Sequence, residues 1–176
     1  CLVGSEMCIR DRAVCQNIPL IRRIVTVTGE GANHPQNFEV PTGMSYKDVL
    51  EQAGGCSEKT VKIISGGPMM GMALYDIDVP VMKTSSALLC LTKDEVAEYE
   101  PTACIRCGRC VSVCPSKLVP QKMLAYAEKF DNDSFVQING MECYECGSCT
   151  YVCPAKRRLT QSFKQTRRSV MDSRRK

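Results

Sequence analysis

The chain reads as α+β, built in two parts: a small mixed module of short strands around one helix, then a mostly helical module. Three observations predict this. Residues 13–92 hold short β-branched runs, punctuated by Gly and Pro, with one amphipathic helical segment among them. Residues 93–160 hold two copies of one tight cysteine pattern. The stretch between the copies places apolar residues at helical spacing.

Arg23–Thr28 alternates, with Val25 and Val27 on one face, and reads as a strand stopped by Gly29 and Gly31. Asn37–Val40 alternates too and stops at Pro41 and Gly43, so the pair predicts a hairpin. Ser45 as N-cap, with Asp48 three residues on, opens a helix. Its Tyr46, Val49, Leu50 and Ala53 share a face, and Gly54 and Gly55 close it. Val61–Ile64 is a further strand, and extended runs follow at Val79–Met82 and Ala87–Leu91. Strand, strand, helix, strand, strands is the order of a β-grasp (ubiquitin-like) domain.

Gly66–Gly71, reading Gly-Gly-Pro-Met-Met-Gly, has neither dinucleotide-turn spacing nor the Lys-Ser/Thr of a phosphate loop. It reads as a tight turn that uses positive φ, with close backbone approach to a ligand or partner as the other use. His34 is the one histidine; in its polar loop it is expected to be exposed and not catalytic. Cys15, Cys56 and Cys90 lack ligand-spaced neighbours and read as small packing residues.

Thirteen cysteines in 176 residues are the compositional anomaly. An odd total and C-x-x-C spacing argue against a secreted disulfide framework and for metal ligands. At 44% hydrophobic and 24% charged, the chain is neither a disordered polymer nor collagen-like. The longest uncharged apolar stretch, Ile63–Tyr75, is broken by Gly and Pro and too short to span a bilayer as a helix. No segment has signal-peptide order. Residues 1–12 open with Cys, show no periodicity, and resemble translated adapter sequence. They are set aside with Cys1 and Cys8 as a non-native leader, and the native protein is expected to continue upstream.

The chemistry lies in Cys104, Cys107, Cys110 and Cys114-Pro115, and again in Cys143, Cys146, Cys149 and Cys153-Pro154. Each block is C-x2-C-x2-C-x3-C-P, and the offset of 39 residues also holds at Gly108/Gly147 and Lys117/Lys156. Three thiolates at two-residue intervals wrap one [4Fe–4S] cube. In two-cluster ferredoxins the fourth cysteine ligates the other cluster. That rule assigns Cys104, Cys107, Cys110 and Cys153 to a first cluster, and Cys143, Cys146, Cys149 and Cys114 to a second. Gly108 and Gly147 let each loop bend inward. A zinc interaction module is the competing reading; a four-thiolate zinc site needs two C-x-x-C pairs and would leave regularly spaced thiols with no metal to hold.

Arg106 and Arg109 lie in the first loop where the second has Glu145 and Ser148, so the first cluster is expected to be the easier to reduce. Ile105, Val111, Val113, Tyr144, Tyr151 and Val152 are the apolar shell expected around the clusters. In the 28-residue linker, Leu118, Val119, Met123, Leu124, Ala127 and Phe130 predict a helix starting near Pro120 and ended by Asp131–Ser134. Thr92 and Glu95 form a capping box for a short helix toward Tyr99. From Ala155 to Lys176 nine basic residues face one acid, a net +8, while the rest of the chain is −4. Residues 161–176 read as a basic, solvated tail, suited to an anionic membrane surface or acidic partner rather than nucleic acid.

The β-grasp segment and cysteine blocks together carry a resemblance. Pro19–Gly29, Val40–Gly43, Ala53–Gly55, Gly66–Gly71, Val79–Val81, Cys104–Cys110 and Cys143–Cys149 make residues 13–160 similar to the C subunits of Rnf electron-transport complexes (RnfC). The resemblance implies a soluble-ligand-binding β-grasp domain at 13–92 and a two-[4Fe–4S] ferredoxin-type domain at 93–160. It implies an electron-relaying subunit of an ion-translocating ferredoxin:NAD oxidoreductase, peripheral on the cytoplasmic side of the bacterial inner membrane. FMN and NADH binding belong in that family to an upstream region, and no glycine-rich nucleotide site precedes Arg23 here. An independent ferredoxin-like carrier with an attached binding module is the alternative.

Overall fold

The structure, a computed structural model, describes residues 4–175; Cys1 and Lys176 lie outside the described residues, as does the side chain of Cys8. The chain divides into two compact units, Cys1–Asp94 and Glu95–Lys176.

In the first unit, helix α1 (Gly4–Cys15) leaves its described residues Arg10–Cys15 exposed, as a segment without apolar periodicity must. Cys15 is therefore not the packing residue expected of it. Strands β1 (Arg22–Thr28) and β2 (Gln36–Pro41) form the predicted hairpin, followed by helix α2 (Tyr46–Gln52). Strands β3 (Lys62–Ser65), β4 (Met72–Leu74) and β5 (Ala87–Leu91) complete a sheet ordered β2-β1-β5-β3-β4. Only β1 and β5 run parallel, the central pairing of a β-grasp sheet.

The packing follows the alternation. Val25 and Val27 point inward and are fully buried, while Ile24 beside them is exposed. Leu88 and Cys90 of β5 and Val40 of β2 join them under Tyr46, Val49, Leu50 and Ala53 of α2. Ser45 Oγ accepts the Asp48 N–H at 3.1 Å, so α2 starts where the cap requires. Tyr46 is buried, but its hydroxyl donates to Ser85 Oγ and meets Ser65 Oγ, each at 2.7 Å, so no polar group is stranded.

One strand falls elsewhere than expected. Val79–Met82 forms a single Ser45–Pro80 bridge instead of a strand: Val79 C=O accepts the Tyr46 N–H, and Val81 bonds Met44 C=O and the Gly43 N–H, so the run is used up on the turn that leads into α2. The fourth strand is β4, paired antiparallel with β3 across the Gly66–Gly71 loop. That loop is the predicted turn. Gly66 has φ +103°, and a Cβ on Gly71 would lie 2.5 Å from Gly67 O and from Ile64 Cγ2. His34 is exposed, as expected.

The second unit is helical apart from its loops: α3 (Glu95–Glu98), α4 (Arg109–Ser112), α5 (Pro120–Ala127), α6 (Asn132–Gln137), a 3-10 turn (Gly140–Glu142), α7 (Ser148–Tyr151) and α8 (Leu159–Arg175). Its core is Leu118, Met123, Leu124, Phe135, Leu159 and Phe163. Phe130 is not part of it. The chain leaves α5 before reaching it, its φ is +56°, and the residue is 78% exposed. Asp131 ends nothing but starts α6, its carboxylate accepting the Ser134 N–H at 3.0 Å.

The C-terminal segment departs most from expectation. Residues 161–175 are not a solvated tail but part of α8, which buries Leu159, Thr160, Phe163, Thr166 and Val170 along one side. Phe163 packs on Phe135 with ring centroids 6.2 Å apart. Asn132 Nδ2 donates to Ser169 Oγ at 3.1 Å, tying α6 to α8. Charges crowd the other side of the helix, which is why a charge count alone reads as a tail.

Candidate metal centre

The cysteine blocks fold alike. Arg106 and Glu145 both have φ +55°, Gly108 and Gly147 have +74° and +82°, and Lys117 and Lys156 have +53° and +51°. Each pair keeps the 39-residue offset. Each left-handed glycine caps a one-turn helix carrying the third cysteine of its block, α4 with Cys110 and α7 with Cys149. A Cβ at Gly108 would meet nothing within 4 Å, so glycine is required there by backbone conformation and not by crowding.

Cys114, Cys143, Cys146 and Cys149 line one cavity, backed by Met123 and Phe163. Three come from the second block and one from the first, the set the cross-ligation rule assigns to the second cluster. The backbone already donates to the sulfurs: Leu118 N–H to Cys114 Sγ at 3.3 Å and Glu145 N–H to Cys143 Sγ at 3.4 Å. Cys149 Sγ lies 3.7 Å from Thr160 Oγ1. Burial pushes the Cys143 and Cys149 thiols above their ordinary range. The Ser148 hydroxyl and N–H hold Cys146 below it.

The other four thiols are more open. Cys104 and Cys107 are exposed, Cys110 and Cys153 half-buried. Burial raises the Cys110 thiol, and the charge of Cys104 reaches it. Thr102 N–H donates to Ala155 C=O at 3.0 Å, so the chain before Cys104 is tied to the chain after Cys153. Lys156 Nζ stands 4.2 Å from the Tyr99 ring centroid and adds to that tie.

The expected apolar shell is not where the sequence placed it. Ile105 is 67%, Tyr144 70% and Tyr151 79% exposed; Val113 is exposed as well, and only Val111 and Val152 are half-buried. In the second block, where Cys143, Cys146 and Cys149 line the cavity, Tyr144 and Tyr151 beside them face outward. Shielding comes instead from α5 and α8, against which Cys110, Cys114, Cys143, Cys149 and Cys153 pack. Thr160 and Arg167 of α8 are site neighbours the sequence reading missed. Their signal was present: Leu159, Phe163, Thr166 and Val170 recur at helical spacing just after the second block.

Among the described residues no three Cys, His, Asp or Glu side chains converge as one metal ion requires. The four thiols of the second-block cavity line one common space. Four soft thiolate donors with N–H groups aimed at sulfur fit an iron–sulfur cube.

Residues 24–73 match the SLBB domain and residues 103–156 the 4Fe-4S dicluster domain, so the cofactors are two [4Fe–4S] clusters. The chain is 43% identical over 174 residues to the C subunit of the Na(+)-translocating ferredoxin:NAD(+) oxidoreductase complex of Acetobacterium woodii, covering 99% of this chain and 39% of that one. It is 45% identical over 127 residues to the C subunit of the proton-translocating ferredoxin:NAD(+) oxidoreductase complex of Clostridium ljungdahlii, covering 72% and 28%. Against the C subunit of the ion-translocating oxidoreductase complex of Yersinia enterocolitica the figures are 40% over 122 residues, covering 69% and 17%. The chain thus spans well under half the length of these relatives.

Proposed function

From a chain that belongs, over its matched length, to the family of RnfC, the C subunits of ion-translocating oxidoreductase complexes, we propose an electron-relay segment of a ferredoxin:NAD oxidoreductase. Each bound [4Fe–4S] cluster supplies one-electron chemistry, taking up and releasing an electron without moving atoms of a substrate. Everything else is the work of this chain. Cys104, Cys107, Cys110 and Cys153 hold the first cluster; Cys143, Cys146, Cys149 and Cys114 hold the second. Cys114 and Cys153 each sit at the end of one short helix and serve the other block's cluster, which keeps the two close. The N–H groups of Leu118 and Glu145 donate to the Cys114 and Cys143 sulfurs and would offset negative charge on a bound cluster. The side bearing exposed Cys104 and Cys107 exchanges electrons with other proteins, because it lies nearest solvent.

The observation that carries this reading is the cavity shared by Cys114 and the three second-block thiols. The wider assignments rest on kinship: partner subunits, ferredoxin and NAD(H) at the level of the whole complex, FMN and NADH sites upstream, and attachment at the cytoplasmic face of the cell membrane. No helix among the described residues is long and apolar enough to cross a membrane, which suits a peripheral segment. The test is anaerobic isolation of the chain. A brown protein absorbing broadly near about 400 nm, with about eight irons and as many acid-labile sulfides, is the expected result. A colourless protein holding stoichiometric zinc would replace this reading with an interaction module.

A further inference from the structure

We infer that Arg167 of α8 is a positioning and charge-setting residue of the second cluster, acting through Glu145. The inference rests on the cluster reading above. The dicluster match ends at residue 156, before α8 begins at Leu159, so nothing in that motif assigns a role to this helix.

The two blocks differ in charge at a left-handed loop position. Where the first loop has Arg106, the second has Glu145 with the same φ of +55°. Glu145 lines the cavity, and its backbone N–H donates to Cys143 Sγ. A lone carboxylate there would oppose a dianionic group about to gain another electron. Arg167 answers it. Its Nη1 pairs with Glu145 Oε1, both side chains are half-buried, and its charge acts on Cys143 as well. Its Nε is buried with no hydrogen-bond partner. A buried N–H donor without an acceptor is costly unless an anion nearby compensates. The second loop thus borrows from α8 the cation that the first loop carries in its own sequence. Thr160, near the start of the same helix, lines the cavity and meets Cys149 Sγ.

The test uses the whole chain, loaded anaerobically, with both midpoint potentials read by redox titration under electron paramagnetic resonance. Arg167→Gln leaves Glu145 uncompensated, and the second-cluster potential is expected to fall. Glu145→Gln leaves Arg167 uncompensated, and the same potential is expected to rise. A tenfold change in the reduction equilibrium reads as about 59 mV for one electron. Arg167→Lys keeps the charge and is expected to stay near the parent. The first-cluster potential should hold in all three, while Arg106→Gln moves it and so identifies it. Opposite shifts from the Arg167 and Glu145 variants support the inference, since a purely structural pair would drive both the same way. Shifts of one sign, no shift, or loss of the second cluster in both variants would overturn it. Failure of the reading beneath is separate: a parent chain without acid-labile sulfide removes the cluster itself.

Discussion

Burial pushes the Cys90 thiol from its ordinary value of 9.0 up to about 12, helped by the hydrogen bond and charge of Cys56, whose sulfur lies 3.5 Å away. The folded chain therefore keeps a proton that the unfolded chain loses. Stability from this group is fully present below pH 9.0 and is lost as pH rises through about 12. Alkaline unfolding followed by circular dichroism should be less steep in Cys90→Ala than in the parent. At pH 8, native alkylation should spare Cys90 until denaturant is added, as peptide mass spectrometry can show; rapid labelling without denaturant would contradict its burial. Two further sites probe the clusters. Cys153→Ser should damage the cluster built on the first block, although it lies in the second; loss confined to the second-block cluster would overturn the cross-ligation assignment. Arg106→Glu with Arg109→Ser should lower the first-cluster potential, weakly and less so at high salt, because both arginines are exposed.

Among the elements, α8 carries the most consequence. Phe163 is buried against Phe135 and backs the thiol cavity, so Phe163→Ala should cost about 3–5 kcal/mol in chemical denaturation of the second unit. Iron content should fall with it. The short helices α4 and α7 depend on their left-handed caps: Gly147→Ala should cost about 1–2 kcal/mol from backbone strain alone. Legibility in the sequence tracked how local each signal was. Ser45 and its helical face, the Val25–Val27 alternation and Pro120 at the start of α5 are short-range, and each element stands where they place it. The strand β4 was hidden because three residues with exposed Met72 form a strand only when β3 offers its edge.

For the whole molecule, the formal +4 changes meaning once cofactors are counted, since four thiolates on a 2+ core leave each cluster at about −2. The chain is then near-neutral overall, with cations concentrated on α8. Several basic groups are already spent: Arg157 pairs with Glu128 at 2.6 Å, and Arg167 with Glu145. Arg158, Arg168, Arg174 and Arg175 stay exposed. Removing α8 to test surface attraction would therefore also strip the core of Phe163 and Val170. Reversing Arg168, Arg174 and Arg175 to Glu is the cleaner probe. Sedimentation with anionic liposomes should drop in that variant, and binding by the parent should weaken as salt shortens the screening length to about 8 Å at physiological strength. Equal binding at all salt concentrations would dissociate these charges from any membrane role.

The sequence by itself determined the donor chemistry and those elements whose signals are local: the β1–β2 hairpin, α2, β3, β5 and α5. Ligand type and spacing are local, and a period of two or of 3.6 is written in neighbouring residues. Tertiary structure alone decided which side chains stand over the thiols. Tyr144 and Tyr151 face outward while the second-block sulfurs line the cavity, and covering surface came from a helix whose charges hid its apolar stripe. Contacts between segments far apart in the chain leave no periodic trace in either segment, so Arg167 beside Glu145 becomes visible only when the chain has folded.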